Sequence, residues 1–238
     1  MTERIYELER DGFAWVRSAF SSADIARMAE QLAAVLRDEA ENSAILAGSS
    51  GPAYGARNLL KLWPAGRTLV VSSPPLAAIL RSVVGDAAGV VRGLYFDKPP
   101  GHSWALPWHR DYTVAVREHR PSAAFKKPTI KAGVPHLEAD VDLLGRMLTV
   151  RIHLDAMTHD NGPLRVVPGS HRTTDDLTED AVTLHCHPGD VLLMRPLLLH
   201  ASGHSLPTTD EHRRIVHLEC APSRELPDGL EWDQFEPL

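Results

Sequence analysis

At 238 residues, 43 % hydrophobic and 24 % charged, the chain has the composition of a globular protein and the length of one large domain. A formal charge of −6 supplies no basic field for a phosphate backbone, so nucleic acid is excluded as the expected partner, and no apolar run approaches the roughly 20 residues that cross a bilayer. Two cysteines, Cys186 and Cys220, are too few for a disulfide scaffold, and the N-terminus carries Glu3 and Arg4 where a leader needs an apolar stretch; the expectation is a cytoplasmic protein that does not engage membranes.

Residues 21–41 predict an amphipathic helix, with Ile25, Met28, Leu32 and Leu36 on one face and a capping-box start at Ser21 and Asp24. A second helix follows Pro74-Pro75, carries Leu76, Ile79, Leu80 and Val83 on one side and stops at Gly85. The expected layout is one domain over 1–238, with 1–88 largely helical. From Gly89 the pattern changes to short β-type runs near 89–97, 147–155, 164–167, 181–186, 191–195, 197–202 and 212–220, which predicts a strand-rich sandwich or barrel over 89–220. Asp160-Asn161-Gly162-Pro163, Pro168-Gly169-Ser170 and Pro188-Gly189-Asp190 mark turns between runs. Residues 113–146, with Lys126-Lys127 and a hinge-like Gly133-Val134-Pro135, exceed an ordinary connection and read as a lid, the alternative being a surface insertion.

The chemistry centres on Pro107-Trp108-His109-Arg110-Asp111. On an extended segment His109 and Asp111, two apart, point to the same face and can share one metal. An HxD pair alone is weak, since thirteen histidines make chance pairs common. His200, at the end of the apolar run Leu197-Leu198-Leu199, supplies a third ligand; a core histidine bonded to backbone is the alternative. Two histidines and one carboxylate leave coordination positions open, as an iron(II) oxygenase requires for a chelating co-substrate and O₂. Arg213 follows on a strand, and a buried guanidinium there is costly without an anion. The distal carboxylate of 2-oxoglutarate fits that fork, with Arg214 the solvent-facing alternative.

Taken in order, Lys98-Pro99-Pro100-Gly101, Pro107-Trp108-His109-Arg110-Asp111, Asp160 to His171, Pro188-Gly189-Asp190-Val191-Leu192-Leu193-Met194, His200-Ala201-Ser202-Gly203 and Arg213-Arg214 resemble the phytanoyl-CoA dioxygenase-like family of iron(II)/2-oxoglutarate-dependent oxygenases, from about Arg92 to Cys220. The resemblance implies a mainly β protein with flanking α, a cupin-like double-stranded β-helix (jelly roll) of eight core strands with the N-terminal helices packed on one sheet. It further implies iron at His109, Asp111 and His200, 2-oxoglutarate on Arg213 with help from Ser202 and Lys98, and hydroxylation of a small-molecule substrate with release of succinate and CO₂. Asp111 favours hydroxylation over halogenation, because halogenating relatives replace the carboxylate by a small residue. The stretch from His200 to Arg213 is about two residues longer than usual in relatives, which opens the choice between Arg213 and Arg214.

Other polar residues carry weaker signals. Leu148, Val150, Ile152 and Leu154 form one face of their strand, leaving Thr149, Arg151 and His153 on the other, where they either meet water or line the barrel cavity near the co-substrate. His185 and His187 have ligand-like spacing but no carboxylate partner, and an exposed strand face is expected. Arg92, Tyr95, Trp104, Trp108 and Tyr112 flank the ligands as pocket or packing residues. Two rivals stand beside the oxygenase: a cupin-like metalloenzyme, which has no use for Arg213, and a metal-free jelly-roll binding protein.

Overall fold

A computed structural model describes residues 1–48 and 51–238. Its elements in chain order are α1 (Thr2–Asp11), β1 (Phe13–Val16), α2 (Ser22–Asp38), β2 (Ile45–Ala47), β3 (Ala53–Ala56), α3 (Leu59–Leu62) and α4 (Pro74–Val84). They continue with β4 (Gly89–Phe96), β5 (Leu106–His109), β6 (Thr113–Ala115), β7 (Phe125–Lys131), β8 (Val134–Ala139), α5 (Val141–Arg146), β9 (Leu148–His153) and β10 (Leu164–Val166). The chain ends with β11 (Val182–Thr183), β12 (Val191–Met194), β13 (His200–Ser202), β14 (Ile215–Ala221) and β15 (Glu236–Pro237).

Both predicted helices form. Asp24 N–H reaches Ser21 Oγ at 3.2 Å and Ser21 N–H returns to Asp24 Oδ2 at 3.1 Å, closing the capping box that starts α2. Proline occupies the first turn of α4, and Gly85 follows its end. The N-terminal part is not helix alone, however: β1, β2 and β3 all join the main sheet.

Eight core strands are shared between two sheets, and the chain crosses from one sheet to the other at every step except β10 to β11, which pair with each other. β4, β9, β12 and β14 form the centre of the main sheet, ordered β1-β12-β9-β14-β4-β3-β2 with β15 on β4, while β5, β10, β11 and β13 form the second, ordered β11-β10-β13-β5. That alternation is the winding of a double-stranded β-helix, so the expected jelly roll is present. Its outer face packs on the N-terminal helices: Leu148, Val150 and Ile152 of β9 share one buried cluster with Ile25, Met28 and Leu32 of α2 and with Leu76, Ile79 and Leu80 of α4. Because side chains alternate along a strand, this contact turns Thr149, Arg151 and His153 inward, and all three are buried.

The segment expected to act as a lid has its own structure. β6, β8 and β7 pair in that order as a third sheet, and Val114, Phe125, Leu137, Leu143 and Leu144 pack with Leu226, Leu230 and Trp232 from the C-terminal stretch. Gly133, at φ 77°, sits in the tight turn of the β7–β8 hairpin rather than at a hinge.

Candidate functional site

Register assembles the site on two facing sheets. On the main sheet, antiparallel pairing lines up Thr149–Glu219–Arg92, Arg151–His217–Leu94 and His153–Ile215–Phe96 as successive inward-facing rows across β9, β14 and β4. Reciprocal backbone bonds between Lys98 and Arg213, at 3.2 and 3.3 Å, extend the ladder by one more row. On the second sheet, His200 of β13 is paired directly with His109 of β5, and their rings lie 4.1 Å apart between centroids. Asp111, just past β5, donates its N–H to Pro196 O at 2.9 Å, which ties it beside the β12–β13 connection.

The three candidate ligands converge. The donor atoms of His109, Asp111 and His200 all lie within 4.8 Å of one another, with each histidine Nε2 at 3.8 Å from a carboxylate oxygen of Asp111. Metal–ligand bonds of about 2.0–2.2 Å put neighbouring ligands about 3 Å apart, so the two 3.8 Å separations need to close by about 1 Å and the widest by no more than about 2 Å. Backbone carbonyls orient both imidazoles toward the acid. His109 Nδ1 lies 2.8 Å from Pro107 O and His200 Nδ1 lies 2.8 Å from Leu198 O, which assigns the proton to Nδ1 and leaves the Nε2 lone pairs facing Asp111. Asp111 Oδ2 is buried without a hydrogen-bond partner. Burial pushes the Asp111 carboxyl up, but His200, His217, His109 and Arg92 outweigh it, and the net direction is down, toward a standing anion. Burial, opposed by Asp111, leaves His200 at about 4, so its imidazole is neutral at physiological pH. The donor set and the orphaned oxygen fit a divalent cation.

A second set of unmatched groups lies further along the same cavity, which measures about 310 Å³. Arg213 is 2 % exposed, and its Nε and Nη1 have no hydrogen-bond partner; Arg151 Nε is also orphaned. Burial and the proximity of Arg151 pull Arg213 down to about 9, and burial pulls Arg151 to about 10. Lys98 is fully buried; its Nζ donates to Ser202 Oγ at 3.0 Å and to Gly203 O. Burial, then Arg213 and Arg151, lower Lys98 to about 6. Two crowded guanidinium groups with open donors, Arg213 and Arg151, fit a bound carboxylate. Gly162, at φ 69°, keeps this corner open, since a Cβ there would stand 2.6 Å from Gly203 O and 3.1 Å from Lys98 Nζ.

Arg214 faces the other way and makes a bidentate pair with Asp155, at 2.8 and 2.6 Å. Thus Arg213, not Arg214, enters the cavity with His109, Asp111, Arg151, His200 and Ser202. Thr149 borders a small adjoining void beside Asp111 and Glu219, away from the Lys98 corner. Of the flanking residues, Arg92 and Trp104 line the cavity, whereas Tyr95 is buried in the helix-facing core. His185 and His187 are exposed. Ser170 is structural: its Oγ receives Leu199 N–H at 2.9 Å and donates to Val167 O at 2.6 Å, pinning the approach to His200.

Sequence reading missed His217, Glu219, Arg57 and Lys131 as cavity residues. The first two were within reach, because Arg213, Ile215, His217 and Glu219 follow the strand period of two. Arg57 lies just after β3 and Lys131 in the hairpin, and no local pattern links either to the ligands.

Comparison with known proteins gives the family and the fold. The Phytanoyl-CoA dioxygenase (PhyH) family model matches residues 8–215. Ectoine dioxygenase of Bordetella bronchiseptica is 26 % identical over 174 residues, covering 71 % of this chain and 49 % of the relative; that of Sphingopyxis alaskensis is 23 % identical over 167 residues, covering 69 % and 48 %. The chain therefore spans about half the length of the curated relatives it matches. Among solved structures, EctD from S. alaskensis with bound Fe aligns at a TM-score of 0.71 and 21 % identity, over 100 % of this chain and 85 % of that one. HygX from Streptomyces hygroscopicus with nickel and 2-oxoglutarate bound aligns at 0.62 and 18 %, over 93 % and 87 %. These likenesses bear out the double-stranded β-helix. The match over residues 8–215 makes this chain a member of the phytanoyl-CoA dioxygenase family.

Proposed function

We propose that the protein is an iron(II)- and 2-oxoglutarate-dependent dioxygenase that hydroxylates an unactivated carbon of a small molecule. The observation that carries this reading is the pairing, in one cavity, of a convergent His109–Asp111–His200 set with a buried Arg213 whose guanidinium lacks an anion. A metal site alone would have no need of that arginine. Ectoine dioxygenases among the relatives and the 2-oxoglutarate bound in HygX support the same assignment.

In this reading His109, Asp111 and His200 hold iron(II), and Arg213 receives the far carboxylate of 2-oxoglutarate. Ser202 and Lys98 assist at that carboxylate; Arg151 and Thr149 line the wall facing the metal. Bound together, iron, 2-oxoglutarate and O₂ supply the oxidising power, with succinate and CO₂ released as the co-substrate is consumed. The chain's own contribution is positional. Backbone carbonyls of Pro107 and Leu198 fix the imidazole tautomers, and Asp111, a standing anion, balances the cation's charge. Leu94, Phe96, Trp104 and Ile215 give the cavity an apolar wall that keeps water from the reacting centre. The single-domain layout belongs to this proposal, with 113–146 as the cover over the cavity; Thr113 and Lys131 of that segment already face it.

Anaerobic addition of iron(II) and then 2-oxoglutarate tests the reading. A weak visible charge-transfer band, followed by succinate formation on exposure to O₂ and a substrate panel, is expected. Iron binding with no band would leave a cupin-like metalloenzyme, and no iron binding would leave a binding protein.

A further inference from the structure

The metal triad and the Arg213 corner do not account for all the charge in the cavity. Arg57, Arg92 and Lys131 also line it, and they interact as a separate group. Arg92 and Arg57 both depress Lys131, and Arg92 depresses Arg57, in each case after the effect of burial. From Arg213 into β14 as far as Glu219 the chain takes six residue steps, about 20 Å at roughly 3.3 Å per residue, so this group, around Arg92 and Glu219, sits at the far end from Arg213.

The partners at this end are few. Glu219 is buried and bonded to Arg92 at 2.8 Å, so that pair is matched. Burial pushes the Glu219 carboxyl up, and Arg92 opposes that shift. His136 faces the same cations from β8; burial and Arg92 hold it at about 4, so it adds no charge at neutral pH. Lys131 Nζ donates only to Thr113 Oγ1, at 2.9 Å, and among the described residues Arg57 has neither a side-chain hydrogen bond nor an ion pair. Glu219 and Asp111 act on Lys131 through space, but among the described residues no carboxylate is hydrogen-bonded or ion-paired to either of these two half-buried cations, a costly arrangement unless a ligand supplies one.

We infer that the primary substrate carries an anionic group, a carboxylate or phosphoryl group, held by Arg57 and Lys131 at the end of the cavity opposite Arg213. This rests on the dioxygenase reading, in which 2-oxoglutarate already occupies Arg213. The apolar side chains of Leu94, Phe96 and Leu106 then contact the body of the substrate, and the anion sets which carbon faces the metal. Arg92, paired with Glu219, lines the same cavity as a matched ion pair.

The test uses the full chain loaded with iron(II) and 2-oxoglutarate without O₂, with calorimetry of phenylacetate, phenyl phosphate and the neutral phenylacetamide. At least one acid should bind roughly tenfold or more tightly than the amide, since a charge-assisted hydrogen bond is worth that much. The better acid identifies carboxylate or phosphoryl as the favoured group. Arg57→Gln and Lys131→Met should each remove most of the preference while the charge-transfer band persists, which also shows that the variants are folded. If neither acid binds better than the amide, or if the preference survives both substitutions, with a normal band, the anion site is wrong and the dioxygenase reading stands. If the unmodified protein gives no band, the dioxygenase reading fails and takes this inference with it.

Discussion

Replacing Arg213 by methionine should change stability and co-substrate affinity in opposite directions. The side chain is 2 % exposed, two of its nitrogens lack partners, and burial beside Arg151 has pulled it down to about 9. In the ligand-free protein it is an unmatched buried charge, and substituting an apolar group of similar length is expected to stabilise the fold by about 1–4 kcal/mol. When 2-oxoglutarate is bound, the same nitrogens can make two charge-assisted bonds of about 1.5–3 kcal/mol each. Lys98 and Ser202 remain nearby and recover part of the loss, so a net cost of about 3 kcal/mol, or roughly a hundredfold in Kd, is the reasonable floor. Urea unfolding of the metal-free protein gives the first quantity, and anaerobic titration of the charge-transfer band gives the second. Arg214→Met is the control: it breaks the bidentate pair with Asp155, costs about 1 kcal/mol of stability and leaves co-substrate affinity unchanged. A destabilised Arg213 variant with normal affinity, or weakened affinity in the Arg214 variant, would refute the reasoning.

Alanine at His109, Asp111 or His200 should abolish the thermal stabilisation that iron(II) or manganese(II) gives the parent, about 2.7 kcal/mol at a hundredfold excess over Kd, while the metal-free fold persists; a full metal-induced shift in one variant removes that residue from the ligand set. Lys98 carries a pH signature. Its native value near 6 lies below its ordinary 10.5, so between those limits the unfolded chain holds a proton that the native chain lacks, and stability rises with pH. The penalty is complete below about pH 6, and Lys98→Met should flatten the rise in urea midpoints by up to about 1.4 kcal/mol per pH unit; parallel curves for parent and variant would mean that Lys98 keeps its proton. Backbone exchange over 113–146 should show the amides of β6 and β8 protected in every state, because their side chains belong to a packed cluster, with ligand-dependent protection confined to the hairpin turn near Lys131. Ligand-dependent protection across the whole segment would restore a lid that folds on binding.

Much of the site was legible in the sequence because it depends on local period. His109 and Asp111 share a face by parity, His200 ends an apolar run, and Ser21, Pro74 and Gly85 mark helix ends whatever surrounds them. Thr149, Arg151 and His153 were legible only as a face, and the packing of Val150 and Ile152 on the N-terminal helices decided that the face is internal. The stretch 113–146 hid its strands because most of β7 is exposed and carries no apolar alternation. Arg213 and Arg214 are adjacent and identical in type, and only the pairing of β14 with β9 and β4, together with Asp155 outside, distinguishes the buried one from the paired one. Arg57 and Lys131 belong to the cavity through tertiary structure alone. Arg57 follows β3 of the main sheet and Lys131 ends β7 of the third, 74 positions apart in the chain, and no periodicity spans that distance. Local sequence determines which way a side chain points from its own strand; which strands face one another across a cavity is set by the burial of apolar faces over the whole chain.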